Sequence, residues 1–157
     1  MLDRPEYIHV VTNHLPIIGL LVAMLALLAA LVTKNRGATL IGLALVCLLA
    51  LSAWPAYHYG EEGYDRVMSM ADQAGGKFLE RHKALAERWL FLYFLTAGVA
   101  GLGFVLSWKW PRTLVPCSIL ALLLAAASLV AGIVIAKDGG AVRHREFRFE
   151  PPPPPPT

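Results

Sequence analysis

Four long apolar stretches divide the chain, and most of the polar residues lie in the connections between them. The stretches cover residues 15–33, 38–56, 89–108 and 113–136, and none contains a charged side chain. Each reaches the roughly 18 residues that a helix needs to cross a bilayer. Because lipid offers the backbone no hydrogen-bond partner, such spans fold as helices. The pattern therefore predicts an all-α fold, an integral membrane bundle of four transmembrane helices.

The composition supports a membrane protein. Hydrophobic residues make up 57% of the chain and charged residues 16%, whereas soluble domains average about 25% charged residues. The net charge of +3 is small, and the basic residues form no single basic face, which argues against nucleic-acid binding. Cys47 and Cys117 lie singly in apolar stretches, so no motif for covalent c-type haem attachment is present.

The charge distribution predicts an orientation. The two short connections, 34–37 and 109–112, carry four basic residues and no acidic one, whereas the other connections carry mixed charges. Loops rich in Lys and Arg stay in the cytoplasm. We therefore expect both termini on the periplasmic side of a bacterial inner membrane. Residues 1–150 are predicted to form a single domain, followed by a polyproline tail at 151–157.

Sequence signals also indicate where helices begin and bend. Pro5 is suited to a first helical turn, with Asp3 as its cap. Pro16 is expected to distort the same helix locally. The third long helix is predicted to begin after Gly76, and its apolar periodicity turns His82 toward the bundle.

All five histidines fall on the predicted periplasmic side. Imidazole is a common metal ligand and an axial ligand of haem iron, and a four-helix bundle brings side chains of different helices together. His9 and His14 are about 140° apart around a straight helix, so they cannot both face one small metal. Two histidine pairs, drawn from His9, His14, His82 and His144, would hold one or two bis-histidine haems.

A rival metal site lies in the connection after the second stretch. His58, Glu61, Glu62 and Asp65 lie within eight residues, with His82 beyond. Imidazole with carboxylate suits zinc, iron or manganese ions. Gly60 and Gly63 are expected to interrupt a helix there. A solvated acidic loop with no metal is the alternative interpretation.

The C-terminal segment offers further candidates. Gly139 and Gly140 allow a sharp turn, after which residues 142–149 would fold back and bring His144 to the mouth of the bundle. Arg143 and Arg145 would then suit haem propionates, phospholipid headgroups or an acidic partner. A loose basic tail is the alternative.

Four segments in this order resemble a bacterial family of four-helix membrane proteins of unknown function. They are IHVVTNHLPIIG (8–19), YGEEGYDRV (59–67), ERHKALAER (80–88) and GGAVRHREFR (139–148). Relatives in that family occur fused to, or beside, Rieske and c-type cytochrome modules. The resemblance implies an electron-transfer setting, with His9, His14, His82 and His144 as the matching ligands.

The chain departs from the family pattern at two positions. Lys83 follows His82 where the family has Glu, and Arg145 follows His144 where the family has Pro. His58 has no counterpart in the pattern and ranks last as a ligand.

The leading functional prediction is a b-type cytochrome-like electron-transfer protein or subunit that binds haem b at the periplasmic mouth. Its partner would be a periplasmic or membrane redox protein. The first alternative is a membrane protein that binds a zinc, copper or iron ion through the same histidines with Glu61 or Glu62. The second is a cofactor-free structural or assembly subunit of a larger complex. No catalytic residue set is present, which favours an accessory or electron-transfer role over a free-standing enzyme.

Overall fold

A computed structural model describes residues 4–154, and this part of the chain is helical without a β-strand. The helices are α1 (Pro5–Thr12), α2 (Leu20–Val32), α3 (Arg36–Leu51), α4 (Ala53–Met70), α5 (Gln73–Lys109) and α6 (Leu114–Arg143). A π-helix, Leu15–Gly19, joins α1 to α2, and two 3₁₀ turns lie at Pro111–Thr113 and Arg145–Phe147. Together they form four long segments, each long and apolar enough to cross a membrane.

The four segments pack as a closed bundle. α1 packs on α4 and α2 on α3, so the first two segments are neighbours along their length. α5 contacts both α3 and α6, and α6 returns to α2. Leu20, Leu27, Leu43 and Val46 are fully buried in the core, whereas many large apolar side chains point outward. An apolar exterior fits lipid rather than water. The prediction of an all-α fold with four segments apolar enough to cross a membrane is confirmed.

The first segment is locally distorted where the sequence predicts. Pro16 lies in the π-helix, which widens the backbone for one turn between α1 and α2. Proline supplies no backbone N–H, and π-bulges accommodate such interruptions. Asp3, the expected cap of this segment, lies outside the described residues.

The predictions that glycines end or begin helices are wrong. α4 continues through Gly60 and Gly63, α5 begins at Gln73 with Asp72 as its cap, and α6 continues through Gly139. At Gly63 a Cβ atom would lie 2.9 Å from the backbone of Glu6. These glycines lie inside helices because a neighbouring segment approaches too closely for a side chain.

Candidate functional site

A cavity of about 100 Å³ lies where α1, α4, α5 and α6 meet. Its walls are mostly small or aliphatic, among them Ala53, Ala86 and Ala136. Five polar side chains also line it: His9, Asn13, Tyr57, His82 and Tyr93. Only two of the predicted ligands, His9 and His82, are among them.

His9 reaches the cavity from α1 and is held on α4. Its Nδ1 lies 2.7 Å from the carbonyl oxygen of Ala56, and a carbonyl only accepts, so Nδ1 carries the proton and donates. The ring lies against Gly60, where a Cβ atom would be 2.9 Å from Nδ1. Glycine at position 60 is therefore what lets the imidazole lie flat on α4.

His82 is held in the same way between α5 and α6. Its Nδ1 donates to the carbonyl oxygen of Ile135 at 2.8 Å. Its ring lies against Gly139, where a Cβ atom would be 3.0 Å from Cε1. The prediction that His82 points toward the bundle is confirmed.

The two imidazoles face each other. Their ring centres are 6.1 Å apart and their planes are nearly perpendicular, at 89°. Since both Nδ1 atoms donate to carbonyls, Nε2 is the nitrogen that carries the lone pair in the neutral form of each ring. Metal-binding histidines are oriented in this way, with the second ring nitrogen donating to a carbonyl or carboxylate.

An ion pair between a buried carboxylate and a half-buried guanidinium joins α5 to α6 beside His82. Arg81 Nε and Nη2 each donate to one oxygen of Asp138 at 2.6 Å. The Asp138 side chain is 3% exposed and that of Arg81 is 35% exposed. Two parallel, charge-assisted bonds fix both distance and orientation. Asp138 precedes Gly139 directly, so the pair also holds the surface on which the His82 ring rests.

The other histidines lie elsewhere. His14 is exposed and its Nδ1 donates to the Val10 carbonyl of its own helix. His58 lies 3.3 Å from Glu62 and stacks on Trp54. His144 is exposed beside Glu146. His9 and His14 thus diverge around the first segment, as their spacing predicts.

The remaining predicted residues bind groups of the protein itself. Glu61 pairs with Lys83, Glu62 with His58, Arg145 with Asp72, and Arg143 donates to the Met70 carbonyl. None of these four lines the cavity.

The C-terminal segment folds back, but its turn lies at His144, after the end of α6, and not at Gly139–Gly140. Arg148 donates to the carbonyls of Ala141 and Val142 and to Asp72. The hydrogen bond from Arg148, together with that from the Gly75 N–H, lowers the pKa of Asp72 to about 2. The fold-back therefore ties the tail to the end of α4 and the start of α5.

Within residues 4–154, no three His, Cys, Asp or Glu side chains converge on one point. The cavity thus offers two imidazole ligands and neutral oxygen groups, and no carboxylate. Structural zinc sites use four protein ligands, whereas sites with fewer keep positions open for water or another molecule. The arrangement is suited to an open centre.

Sequence reasoning missed three contributors to this region. Asp138 is adjacent to Lys137 and resembles an ordinary helix end, and only its contact with Arg81, 57 residues away, reveals its role. The sequence predicts that Gly60 interrupts a helix and that Gly139 allows a turn. Nothing in the residues around either glycine indicates that a histidine of another segment lies against it.

No protein-family model, curated protein or solved structure matches the chain. The four long apolar segments indicate a multi-pass helical membrane protein. The resemblance to the four-helix family stays a prediction.

Proposed function

We propose that this protein binds a transition-metal ion between His9 and His82 and that the centre serves electron transfer in the membrane. The observation that carries the proposal is the pair of imidazoles, each fixed through Nδ1 and each presenting Nε2. A metal ion bound to both Nε2 atoms at about 2 Å, with the two nitrogens on nearly opposite sides of it, would separate the ring centres by about 6 Å. The observed separation is 6.1 Å.

Copper, iron and zinc ions are the candidates, because imidazole suits all three. Copper or iron supports the electron-transfer role, since zinc has no redox chemistry. The protein would supply two ligands, orient them through Ala56 and Ile135, and leave further positions open beside Asn13 and Tyr57.

Haem b is the second candidate. The perpendicular rings and their separation also suit the two axial ligands of one haem iron. The cavity volume favours the ion, because about 100 Å³ is well below the roughly 300–1,000 Å³ of pockets that hold larger organic ligands.

One purified sample tests both candidates. The full-length chain in detergent would be analysed for copper, iron and zinc, and its oxidised and dithionite-reduced visible spectra recorded. A copper or iron ion without a Soret band supports the first candidate, zinc alone supports metal binding but contradicts electron transfer, and sharp reduced α and β bands support haem. His9→Ala and His82→Ala should each remove the bound centre, whereas the matched variant His144→Ala should retain it. A colourless, metal-free protein would overturn the proposal and favour a structural subunit.

The orientation is part of the proposal. The basic connections 34–37 and 109–112 favour the cytoplasm, which would place the imidazole pair near the periplasmic face and both termini in the periplasm. A periplasmic or membrane redox protein would then be the partner. Reporter fusions at the two termini test this orientation, and cytoplasmic reporters would overturn it.

A further inference from the structure

The end of the bundle opposite the cavity carries positive charge without acidic residues. Residues 15–56 and 89–136 contain no Asp or Glu, so all 11 acidic residues of the chain lie elsewhere. Every ion pair between residues 4–154 accordingly joins groups at the end that holds the cavity. The opposite end presents four exposed cations of the two short connections, which we call the basic face: Lys34, Arg36, Lys109 and Arg112.

The acidic residues of the cavity end are too distant to compensate the basic face. Along α5 the acidic residue nearest to Lys109 is Glu87, about 33 Å away along the helix axis. This distance is several times the Debye length of about 8 Å at physiological ionic strength. Arg145 and Arg148 of the tail differ, because both pair with Asp72. The charge of the basic face is therefore left to groups outside this chain.

Hydrogen bonds hold the two short connections together. Arg36 Nη2 donates to the carbonyl oxygens of Ser107 and Trp108 at 3.3 and 3.4 Å, so the start of α3 lies against the end of α5. The hydroxyl groups of Ser107 and Thr113 lie 3.2 Å apart and share a hydrogen bond. A carbonyl carries no net charge, so Arg36 remains an uncompensated cation. The four cations therefore form one face rather than two separate loops.

Lys34 has a backbone conformation that suits glycine. Its φ is 52°, its N–H donates to the Leu31 carbonyl, and the Asn35 N–H donates to that of Ala30. This is the helix-ending motif that usually has glycine at the left-handed position. A residue with a Cβ atom is strained there. A lysine at this position costs stability, which indicates a role other than folding.

Two exposed tryptophans flank Lys109. Trp108 is 69% exposed and Trp110 is 56% exposed, and Lys109 Nζ lies 5.8 Å from the centre of the Trp110 ring. Tryptophan at the end of a transmembrane helix favours the headgroup region, where its ring contacts lipid and its N–H finds a polar partner. Lys109 therefore lies at the level of the lipid phosphates.

We propose that the basic face binds the phosphate headgroup of an anionic phospholipid in the leaflet on its side of the membrane. Clustered Lys and Arg beside a membrane surface attract anionic lipids, and Lys109 and Arg112 donate charge-assisted hydrogen bonds to the phosphate oxygens. The acyl chains lie along exposed apolar side chains below the face, such as Val105 and Val115. The site lies at the opposite end from the imidazole pair and does not depend on the proposed metal.

Two phospholipids with the same acyl chains test the proposal on the full-length chain in a neutral detergent. Native mass spectrometry would measure the binding of phosphatidylglycerol, which carries one net negative charge, and of phosphatidylcholine, which carries none. Phosphatidylglycerol should bind at least about tenfold more tightly, and excess inorganic phosphate should not displace it. Equal affinities for the two lipids would overturn the proposal. Displacement by inorganic phosphate would overturn the assignment to a lipid.

Two substitutions at opposite ends of α5 form a matched pair. Lys109→Gln removes a cation of the basic face and should reduce the preference for phosphatidylglycerol about fivefold. Lys77→Gln removes the same charge at the cavity end of the same helix and should leave the preference unchanged. Equal reductions in the two variants would show that the lipid responds to net charge alone, which would overturn the proposal.

A third substitution separates lipid binding from folding. Lys34→Gly should also reduce the preference about fivefold, but its unfolding temperature in detergent should be no lower than that of the wild type. Glycine adopts a φ of 52° without strain, so the fold loses nothing. A preference that persists in both Lys34→Gly and Lys109→Gln would overturn the proposal.

Discussion

The two ends of the bundle close in different ways. At the end with the short connections, Asn35 caps α3 by accepting from the Ala38 N–H, and Arg36 donates to the carbonyls of Ser107 and Trp108. These polar groups satisfy helix ends and are exposed. At the other end, the imidazoles bond to carbonyls within helices, and a carboxylate is buried beside them.

This difference distinguishes polar groups that satisfy helix ends from polar groups that form the candidate site. Burying a polar side chain costs free energy unless it is hydrogen-bonded. Asp138 is buried and His9 and His82 are half-buried, although no helix end requires them, and each is hydrogen-bonded to another segment. The comparison predicts that changes at the cavity end affect metal binding, whereas changes to the cap at the short-connection end affect stability alone.

The largest expected stability effect comes from the buried ion pair. Asp138→Ala leaves Arg81 without its partner and should lower the free energy of unfolding by about 3 kcal/mol, near the lower end for buried pairs because Arg81 is partly exposed. Denaturant titration in detergent micelles measures this. Glu150→Ala, which breaks the exposed pair with Lys137, is the matched control and should cost at most about 1 kcal/mol. Equal losses in the two variants would contradict the account.

The glycine beneath His9 sharpens the comparison. Gly60→Ala places a Cβ atom against the imidazole and should weaken metal binding about 10–100-fold, the usual effect of disturbing a group that orients a ligand. Gly98→Ala is the control, because nothing lies within 4 Å of its Cβ position. Metal titration of both variants checks this. Retained affinity in Gly60→Ala would show that the ring position does not matter.

A cap at the opposite end should affect stability only. Asn35→Ala removes the acceptor for Ala38 N–H and should cost about 1 kcal/mol. The same metal titration should give wild-type affinity. Loss of metal from this variant would mean that the two ends are coupled.

The smallest effect concerns the tail. The pKa of Asp72 lies near 2, below the ordinary 3.8, because Arg148 and the Gly75 N–H bond the carboxylate. A lowered pKa in the folded state stabilises above the unfolded value, so this contribution is present above about pH 4 and is lost as pH falls toward 2. Hydrogen exchange at 144–148, corrected for intrinsic rates, should rise in this window.

Asp72→Asn is the control for that acid transition. Its tail should exchange faster already at pH 5 and should gain little more on acidification. The pKa of Glu150 is also lowered, by the hydrogen bond from Lys137, so the comparison is best made in a Glu150→Gln background. A wild-type tail whose exchange is unchanged down to pH 2 would contradict the Asp72 contact.

The fold was accessible from the sequence because its signals are local. Uninterrupted apolar runs specify four helices, Pro16 specifies the distortion in the first, and the periodicity around His82 specifies the face it shares with the bundle. The site was only partly accessible. Which histidines meet depends on how each helix is rotated against its neighbours, which separates His14 from His9. It also depends on where α6 ends, which leaves His144 in the tail.

The glycines also show that local sequence preferences do not determine the site. Gly60 and Gly139 have the local preferences of helix breakers, yet both lie inside helices because an imidazole from another segment occupies the space of their side chains. The partner of Asp138 is equally remote in sequence. Contacts between segments decide these roles, and a single sequence does not record them.

The most direct test of the central claim is electron paramagnetic resonance of the chain loaded with one equivalent of Cu²⁺. We predict hyperfine splitting from two equivalent imidazole nitrogens, lost in both His9→Ala and His82→Ala because each variant loses the bound centre, and unchanged in His14→Ala. A signal that is the same in wild type and in His82→Ala would contradict joint binding by this pair.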